Sequence, residues 1–368
     1  MIITLCGGGS TFTPGIVKSI ALRKDELDVD EIRLYDINEE RQRKIGVLVD
    51  WILHEDLGLD IKLTVTTDKK TAFTDASFVF AQMRVGGYAM REQDEKIPLR
   101  HGCVGQETCG CGGLAYGMRT IFPMVELIDD VEKYAKKDYW ILNYSNPAAI
   151  VSEGCRVLRP NARIINICDM PIDLMDKMSR MCGIKDRREL QYSYYGLNHF
   201  GWWTKIHDRA GNDLMPTIKA QMAKNGYAGE DSGLEFVDAS WDQTFRKAKD
   251  VYALDPNTIP NTYLKYYLFP DYVVEHTDPN HTRTDEVREG REKRVFGTAR
   301  QIIEKGTSEG FGLKPDTHAE YIVDLARALA ENTRERFSLI VPNDGAVSNF
   351  DPTAMVEIPC IVGSDGYE

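Results

Sequence analysis

Short apolar runs alternate with helical segments through the first half of the chain. Each run predicts a strand, because it is brief, rich in apolar residues and followed by a turn-forming residue. These runs occupy residues 1–6, 31–35, 63–67, 76–81, 139–143 and 163–168. Segments 15–23 and 39–54 are predicted helices. Because alternating strands and helices indicate a parallel sheet, we predict an α/β domain at residues 1–190.

The second half of the chain has a less regular pattern. Residues 191–197 alternate like a strand, residues 210–255 are charged and helical in character, and residues 318–334 are strongly amphipathic, which predicts a helix. Further predicted strands lie at 339–342, 354–359 and 361–362. This mixture indicates an α+β domain at residues 191–368, which we expect to hold substrate and metal.

Composition and charge exclude several classes of partner. The chain has 368 residues and a formal net charge of −12, so it has no overall attraction for nucleic acid or an anionic membrane. No apolar run is long enough to cross a bilayer. The eight cysteines are scattered, without the spacing of a structural zinc site, and no signal-peptide pattern is present. We therefore expect a cytoplasmic protein with reduced thiols.

A glycine-rich turn joins the first predicted strand to the first predicted helix. Glycines here let a pyrophosphate approach the backbone, and the helix N-terminus supplies free N–H groups. The second strand ends at Asp36, where dinucleotide-binding folds place the acid that holds the adenosine ribose. An ordinary strand-to-helix turn is the alternative, but the combination favours dinucleotide binding. The predicted cofactor contacts are Gly7, Gly9, Ser10, Thr11, Phe12, Asp36 and Arg84.

Arginines follow the fourth predicted strand. Arg84 and Arg91 lie in a segment that we read as a loop at the binding edge of the sheet. They are suited to a cofactor or an anionic substrate, although surface pairing with Glu92 and Asp94 is the simpler interpretation. We read the glycine-rich residues 102–114 as a second loop, over the active site, rather than as a flexible linker.

Polar residues also end the next two strands. Asn143 and Asn146 are placed to hydrogen-bond ligand oxygens. Cys168 and Asp169, taken alone, are more simply a buried thiol and a helix cap. His199 follows the strand at 191–197, however, and provides a second candidate metal ligand. A thiolate and an imidazole leave coordination positions open, as a catalytic divalent metal requires.

Five motifs together resemble glycoside hydrolase family 4, and the resemblance extends over essentially the whole chain. The motifs are GGGSTFTP at 7–14, GQETC at 105–109, NYSNP at 143–147, CDMP at 168–171 and NHFGW at 198–202. The resemblance implies a Rossmann-like NAD-binding domain fused to a catalytic α+β domain, as in lactate and malate dehydrogenases. The aspartate after the cysteine is similar to that of members that split 6-phospho-α-glucosides such as maltose 6-phosphate.

The resemblance implies hydrolysis by redox elimination, with NAD+ and Mn2+, or another divalent metal such as Co2+, Ni2+ or Fe2+. NAD+ takes the hydride at C3, a base removes the C2 proton, the aglycone leaves C1, water adds, and the hydride returns. Cys168 and His199 correspond to the metal ligands, Asp169 to the general acid and Tyr263 to the base. The other tyrosines in the same aromatic run are Tyr266 and Tyr267.

Substrate contacts and partners follow from the same resemblance. Arg91, Asn146 and Arg283 are expected near the sugar and its 6-phosphate. The expected partners are a phosphorylated disaccharide and further copies of the chain, in a homodimer or homotetramer, with no nucleic acid and no membrane. We expect the helical region that follows residues 360–366 in the family to be absent. Two other functions stay open: an NAD-dependent 2-hydroxy-acid dehydrogenase, and an inactive relative that binds NAD and sugar phosphate.

Overall fold

Strands and helices alternate through the first half of the fold. The computed structural model describes residues 1–229, 239–308 and 312–368. In these residues the strands are β1 (Ile2–Cys6), β2 (Glu31–Tyr35), β3 (Lys62–Thr66), β4 (Phe78–Ala81), β5 (Trp140–Asn143), β6 (Ile164–Asn166), β7 (Gln191–Leu197), β8 (Phe200–His207), β9 (Ile259–Pro260), β10 (Glu335–Pro342), β11 (Met355–Gly363) and β12 (Gly366–Tyr367). The helices are α1 (Thr13–Leu22), α2 (Lys24–Leu27), α3 (Glu39–Asp50), α4 (Lys69–Phe73), α5 (Gly87–Arg100), α6 (Gly110–Tyr134), α7 (Ala148–Leu158), α8 (Met170–Met181), α9 (Met215–Asn225), α10 (Ala239–Leu254), α11 (Lys265–Leu268), α12 (Pro270–Glu275), α13 (Arg283–Val287), α14 (Lys293–Lys305) and α15 (Thr317–Glu331). Short π-helical turns lie at Trp51–Asp56 and Arg288–Glu292, and short 3₁₀ turns at Arg187–Glu189 and Thr262–Leu264.

The large sheet has a Rossmann-like strand order. Within the described ranges the order is β3-β2-β1-β4-β5-β6-β10-β11-β12. Strands β1 to β6 pair in parallel, whereas β10, β11 and β12 extend the sheet in antiparallel pairs. The predicted parallel α/β core is therefore confirmed. From β1 the sheet extends to β2 and β3 on one side and to β4, β5 and β6 on the other, so the order of strands switches sides between β1 and β4. Such a switch point is where open α/β sheets bind ligands.

The register of the parallel strands aligns their carboxyl ends. The paired residues at these ends are Cys6 with Tyr35, Cys6 with Ala81, Ala81 with Asn143, and Asn143 with Asn166. Because the strands run in the same direction, the segments that follow β1, β4, β5 and β6 emerge together at one edge. These segments carry the glycine turn and most of the predicted site.

The central strands β1, β4 and β5 are buried on both faces, which explains why they read as continuous apolar runs. Ile3 and Leu5 belong to one core cluster, while Cys6 and Val79 belong to a second cluster that also contains Ile128 of α6. Alternate residues of the sheet thus face two layers of helices. No helix in the part of the chain that the structure describes is both long and apolar enough to span a membrane.

A second, antiparallel sheet contains the turn that carries His199. Its order is β7-β8-β9 in the described residues. Its contacts with the large sheet include two hydrogen bonds from tyrosines of β7: Tyr192 Oη lies 2.8 Å from Ser338 Oγ, and Tyr194 Oη donates to Glu357 at 3.0 Å. The expected domain boundary at residues 190 and 191 lies just before β7. Strands β10 to β12 nevertheless return to complete the sheet of the first half.

Two segments that we read as loops are partly helical. Helix α5 begins at Gly87, and α6 begins at Gly110 rather than after residue 114. The glycines of α6 permit close packing instead of breaking the helix: a Cβ on Gly112 would lie 2.2 Å from Asp94 O, and one on Gly117 would lie 2.6 Å from Ile150 Cγ2. The predicted helical region 210–255 contains α9 and α10, and its residues 230–238 lie outside the described part.

Candidate active site

Cys168 and His199 meet where the two sheets face each other. Cys168 follows β6, and His199 lies in the two-residue turn between β7 and β8 with a φ of 65°. Cys168 Sγ lies 3.4 Å from His199 Nε2. The other ring nitrogen lies 3.1 Å from Thr108 Oγ1, and the ring stacks on Tyr263 with centroids 4.1 Å apart. The structure therefore brings together the predicted metal ligands and the predicted base.

The Cys168 and His199 side chains fit a shared divalent metal. A thiolate and an imidazole bind one ion at about 2.3 and 2.1 Å, so donors less than about 4.4 Å apart can share it. The observed 3.4 Å meets this condition. Burial lowers the pKa of His199 to about 4, so the ring is neutral and able to bind a metal at neutral pH. Among the described residues no group of three or more histidine, cysteine, aspartate or glutamate side chains is placed to hold a metal ion.

A buried glutamate holds the turn that presents His199. Asn198 Nδ2 donates to Glu357 Oε1 at 3.0 Å, and Tyr194 Oη donates to Glu357 Oε2 at 3.0 Å. Asn261 Nδ2 in turn donates to Tyr194 Oη at 3.3 Å. Burial raises the pKa of Glu357 to about 8. This network supports the left-handed backbone of His199, which costs energy in a residue other than glycine.

Asp169 occupies the N-cap position of α8, but its side chain does not cap the helix. Its Oδ2 instead lies 2.8 Å from Nδ1 of His318. Burial opposes ionisation, yet the hydrogen bond and charge of His318 hold the pKa of Asp169 below its ordinary value. The simpler interpretation of Asp169 as a helix cap is therefore wrong, because its carboxyl group contacts His318 of α15 instead.

The three tyrosines of the aromatic run have different surroundings. Tyr263 is buried in the 3₁₀ turn after β9 and stacks on His199. The Tyr266 ring centroid lies 5.4 Å from that of Tyr263, whereas Tyr267 packs edge-on against Phe200 at 5.0 Å. The contact with a predicted metal ligand therefore favours Tyr263 as the candidate base.

The predicted arginines form a buried ionic cluster around Glu107. Arg84 Nη1 lies 2.6 Å from Glu107 Oε2, and Arg91 Nε lies 3.2 Å from the same oxygen and 2.7 Å from Glu95 Oε1. Although burial opposes its ionisation, Arg84 and Arg91 hold the pKa of Glu107 at about 2, with a further contribution from Arg283. The simpler interpretation, pairing of Arg84 and Arg91 with Glu92 and Asp94, is wrong.

Asn146 and Arg283, the other predicted substrate contacts, come from distant parts of the chain. Asn146 Oδ1 is buried and has no hydrogen-bond partner in the described residues. Such atoms are rare in folded proteins unless a ligand or water satisfies them. Arg283 opens α13, where its Nη1 contacts Glu286 at 2.9 Å.

The glycine turn has the shape that a dinucleotide requires. Gly7 has a φ of 85°, and a Cβ there would lie 2.8 Å from Gln82 O. Gly9 N and Asn38 N each donate to Asp36 at 2.9 Å, so this carboxylate fixes the turn that we expect to cradle the pyrophosphate. Phe12 precedes α1 without a side-chain cap, which leaves the helix N-terminus open to an anion.

Two other predicted cofactor contacts, Ser10 and Thr11, belong to the same turn. Ser10 Oγ accepts from Phe12 N at 3.2 Å, and Thr11 is buried. The geometry thus places a nucleotide cradle, a metal-ligand pair, a carboxyl group and a buried phenol at one edge of the sheet.

Sequence models of two domains match the chain. The model described as Family 4 glycosyl hydrolase matches residues 2–184, and the model of the Family 4 glycosyl hydrolase C-terminal domain matches residues 194–368. The chain belongs to glycosyl hydrolase family 4. The resemblance stated from the five motifs is therefore confirmed.

Named relatives in family 4 are similar over the whole chain. A 6-phospho-alpha-glucosidase from Leptotrichia buccalis is 59% identical over 366 residues, which cover 100% of this chain and 82% of the relative. A maltose-6'-phosphate glucosidase from Bacillus subtilis is 55% identical over 366 residues, covering 100% and 81%. A 6-phospho-beta-glucosidase from Thermotoga maritima is 30% identical over 373 residues, covering 99% and 82%.

Solved family 4 structures share the fold. A 6-phospho-alpha-glucosidase from gut microorganisms, in complex with NAD and glucose-6-phosphate, has a TM-score of 0.96 and 45% identity, covering 100% of this chain and 83% of its own. A second, in complex with NAD and Mn2+, has a TM-score of 0.95 and 42% identity, covering 100% and 83%. Both structures contain the dinucleotide, and the second also contains a divalent metal.

Four residues of the family 4 site were not predicted with these roles from the sequence. Thr108 contacts His199, Glu357 supports its turn, and His318 contacts Asp169. Arg291 lies 3.8 Å from the centre of the Phe12 ring, with its Nε buried and without a partner in the described residues. Two features of the sequence could have found some of them: the position of Thr108 within the GQETC motif, and a glutamate inside the apolar run 354–359.

Proposed function

We propose that the chain hydrolyses 6-phospho-α-glucosides, such as maltose 6-phosphate, by a redox elimination that requires NAD+ and a divalent metal such as Mn2+. The observation that carries this proposal is the 3.4 Å pairing of Cys168 and His199 beside an open glycine turn. Relatives that are 55–59% identical and bear the names 6-phospho-alpha-glucosidase and maltose-6'-phosphate glucosidase support the choice of substrate.

The cofactors supply the redox chemistry. When bound, NAD+ accepts a hydride from sugar C3 and returns it, and the metal polarises the resulting carbonyl group. The turn from Gly7 to Phe12 and the Asp36 carboxylate hold the dinucleotide, with Arg84 at its side. Cys168 and His199 hold the metal and leave its other positions to the sugar oxygens.

The protein supplies the acid and the base. Tyr263 removes the C2 proton, and Asp169 gives a proton to the glycosidic oxygen as the aglycone leaves. A general acid must hold a proton, whereas His318 favours the ionised form of Asp169 in the ligand-free protein. The negative charge of a bound 6-phosphate shifts the pKa of Asp169 upward and so favours the acid form.

Arginines recognise the phosphate, and an amide recognises a sugar hydroxyl. Arg91 and Arg283 lie in or next to the Glu107 cluster. The buried Asn146 Oδ1, which has no hydrogen-bond partner among the described residues, accepts from the hydroxyl. Burial lowers the pKa of Arg291, and the hydrogen bond and charge of Tyr88 oppose this shift. The Arg291 Nε is buried and has no hydrogen-bond partner among the described residues. A phosphate of the substrate or cofactor is the partner that we propose for this guanidinium group.

A chromogenic 6-phospho-α-glucoside tests the proposal. After NAD and metals are stripped from the protein, release of the chromophore is expected only when both NAD+ and Mn2+ are returned, without net formation of NADH. Release that needs neither addition would contradict the mechanism. Accumulation of NADH with lactate or malate would favour the 2-hydroxy-acid dehydrogenase, and binding without turnover would favour the inactive relative.

We also infer that the chain forms a homodimer or homotetramer in the cytoplasm. Helix α6 exposes Leu114, Met118 and Phe122 at successive helical turns, and contiguous apolar surface of this kind indicates an interface. All eight cysteines are free, which suits a reducing compartment. Light scattering after size-exclusion chromatography is expected to give two or four times the chain mass, and a mass of one chain would contradict the proposal.

A further inference from the structure

His318 is held between two aromatic rings at the edge of the nucleotide cradle. Its ring stacks on Phe12 with centroids 4.2 Å apart and on Tyr144 with centroids 4.0 Å apart. Tyr144 Oη also donates to the backbone carbonyl of His318 at 3.1 Å. With both faces covered and its backbone bonded, the imidazole is confined to one plane.

The edge of the confined ring faces Asp169. His318 Nδ1 lies 2.8 Å from Asp169 Oδ2, and its Nε2 is buried without a partner in the described residues. Asp169 makes no capping bond to α8, so this contact determines the direction of its carboxyl group. Because Oδ2 accepts from His318, Oδ1 is the oxygen that remains for the substrate.

We propose that His318 is a positioning residue that holds the Asp169 carboxyl group in the orientation needed to protonate the leaving aglycone. This inference rests on the proposed function. In the step that it serves, the electron pair left at C2 by removal of its proton forms the C1=C2 double bond, and the C1–O bond breaks with its electron pair going to the glycosidic oxygen. The proton on Asp169 Oδ1 moves to that oxygen. The aglycone leaves as a neutral alcohol, and Asp169 becomes a carboxylate whose Oδ2 accepts from His318 Nδ1.

Leaving-group dependence tests this role. A glucose aglycone needs a proton to depart, whereas 4-nitrophenolate leaves readily without one. We expect His318→Leu to lower kcat for maltose 6-phosphate by about 10–100-fold, because a displaced catalytic group costs this much. The loss with 4-nitrophenyl 6-phospho-α-glucoside is expected to be less than about threefold, since general acid catalysis contributes little there.

Rescue and a double variant separate positioning from general support. His318→Asn retains an N–H donor close to the position of Nδ1 and is expected to recover much of the kcat for maltose 6-phosphate. Asp169→Asn removes the acid, so adding His318→Leu to it is expected to change the ratio of the two kcat values no further. His276→Leu provides the matched control, because His276 is exposed and lies outside the site.

Several results would overturn the inference. Equal losses on the two substrates, a fall in NAD+ affinity with the kcat ratio unchanged, or additive effects in the double variant would each show that His318 only supports the fold or the Phe12 turn. If His318→Leu does not fold, as judged by circular dichroism, the Asn variant and His318→Gln carry the same comparison. A wild-type protein that turns over neither substrate would instead refute the proposed function.

Discussion

Replacing Tyr263 by phenylalanine is expected to lower kcat for maltose 6-phosphate by about 10²–10⁴-fold, the usual contribution of a general base. The ring of the variant can still stack on His199, so the site keeps its shape while losing only the phenol oxygen. Burial raises the pKa of Tyr263 well above its ordinary value. A nearby positive charge is therefore needed for it to act as a base, and a metal bound by the proposed ligand His199 would supply one.

Isotope exchange identifies the step that Tyr263 serves. In deuterated water the wild-type enzyme is expected to place deuterium at C2 of the product glucose 6-phosphate, which mass spectrometry detects. Tyr263→Phe is expected to lose product formation and C2 exchange together while keeping its affinity for NAD+. Tyr266→Phe is the matched control, since Tyr266 belongs to the same aromatic run. Exchange at the wild-type rate in the Tyr263 variant would remove its role as base.

The fold was predictable because its signals are local. Short apolar runs bounded by turn residues gave the parallel strands and placed Cys168 at the edge of the sheet. His199, 31 residues later, reaches Cys168 from the β7–β8 turn of the small antiparallel sheet. The contact between His318 and Asp169 spans 149 residues and joins a helix to the end of a strand. The hydrophobic periodicity of the sequence cannot predict such a contact. A single histidine on an amphipathic helix leaves the periodicity the same whether its side chain faces a catalytic group or the core.

Errors at the site arose from errors in local structure. We read residues 83–91 as a loop, and the simpler alternative to ligand binding therefore paired the arginines with Glu92 and Asp94. Residues 87–100 form helix α5, and there the neighbour of Arg91 is Glu95, one turn further along. The glycines of α6 misled in the same way, since glycine marks both turns and close helix packing. Only the packed structure distinguishes these two causes.

Replacing Cys168 by serine is expected to lower kcat/KM for maltose 6-phosphate by about 10³-fold or more. A catalytic metal contributes several kcal/mol to transition-state stabilisation, and about 4 kcal/mol corresponds to this factor. Serine keeps the size of the side chain but offers a hydroxyl in place of a soft, readily ionised thiol. With His199 as the remaining protein ligand of the pair, the affinity for Mn2+ is expected to fall as well.

If Cys168 is a metal ligand, the affinity for Mn2+ and kcat/KM must both fall in Cys168→Ser. Titration of Mn2+ monitored by electron paramagnetic resonance measures the affinity without turnover, and NAD+ titration checks that the nucleotide cradle is intact. Cys155→Ser is the matched control, because Cys155 is an equally buried free thiol on α7. A Cys168→Ser protein that binds Mn2+ as tightly as wild type would show that the thiol is not a ligand. If it lost activity nonetheless, the loss would point to packing around Asp169, whose position depends on the adjoining residue as well as on His318.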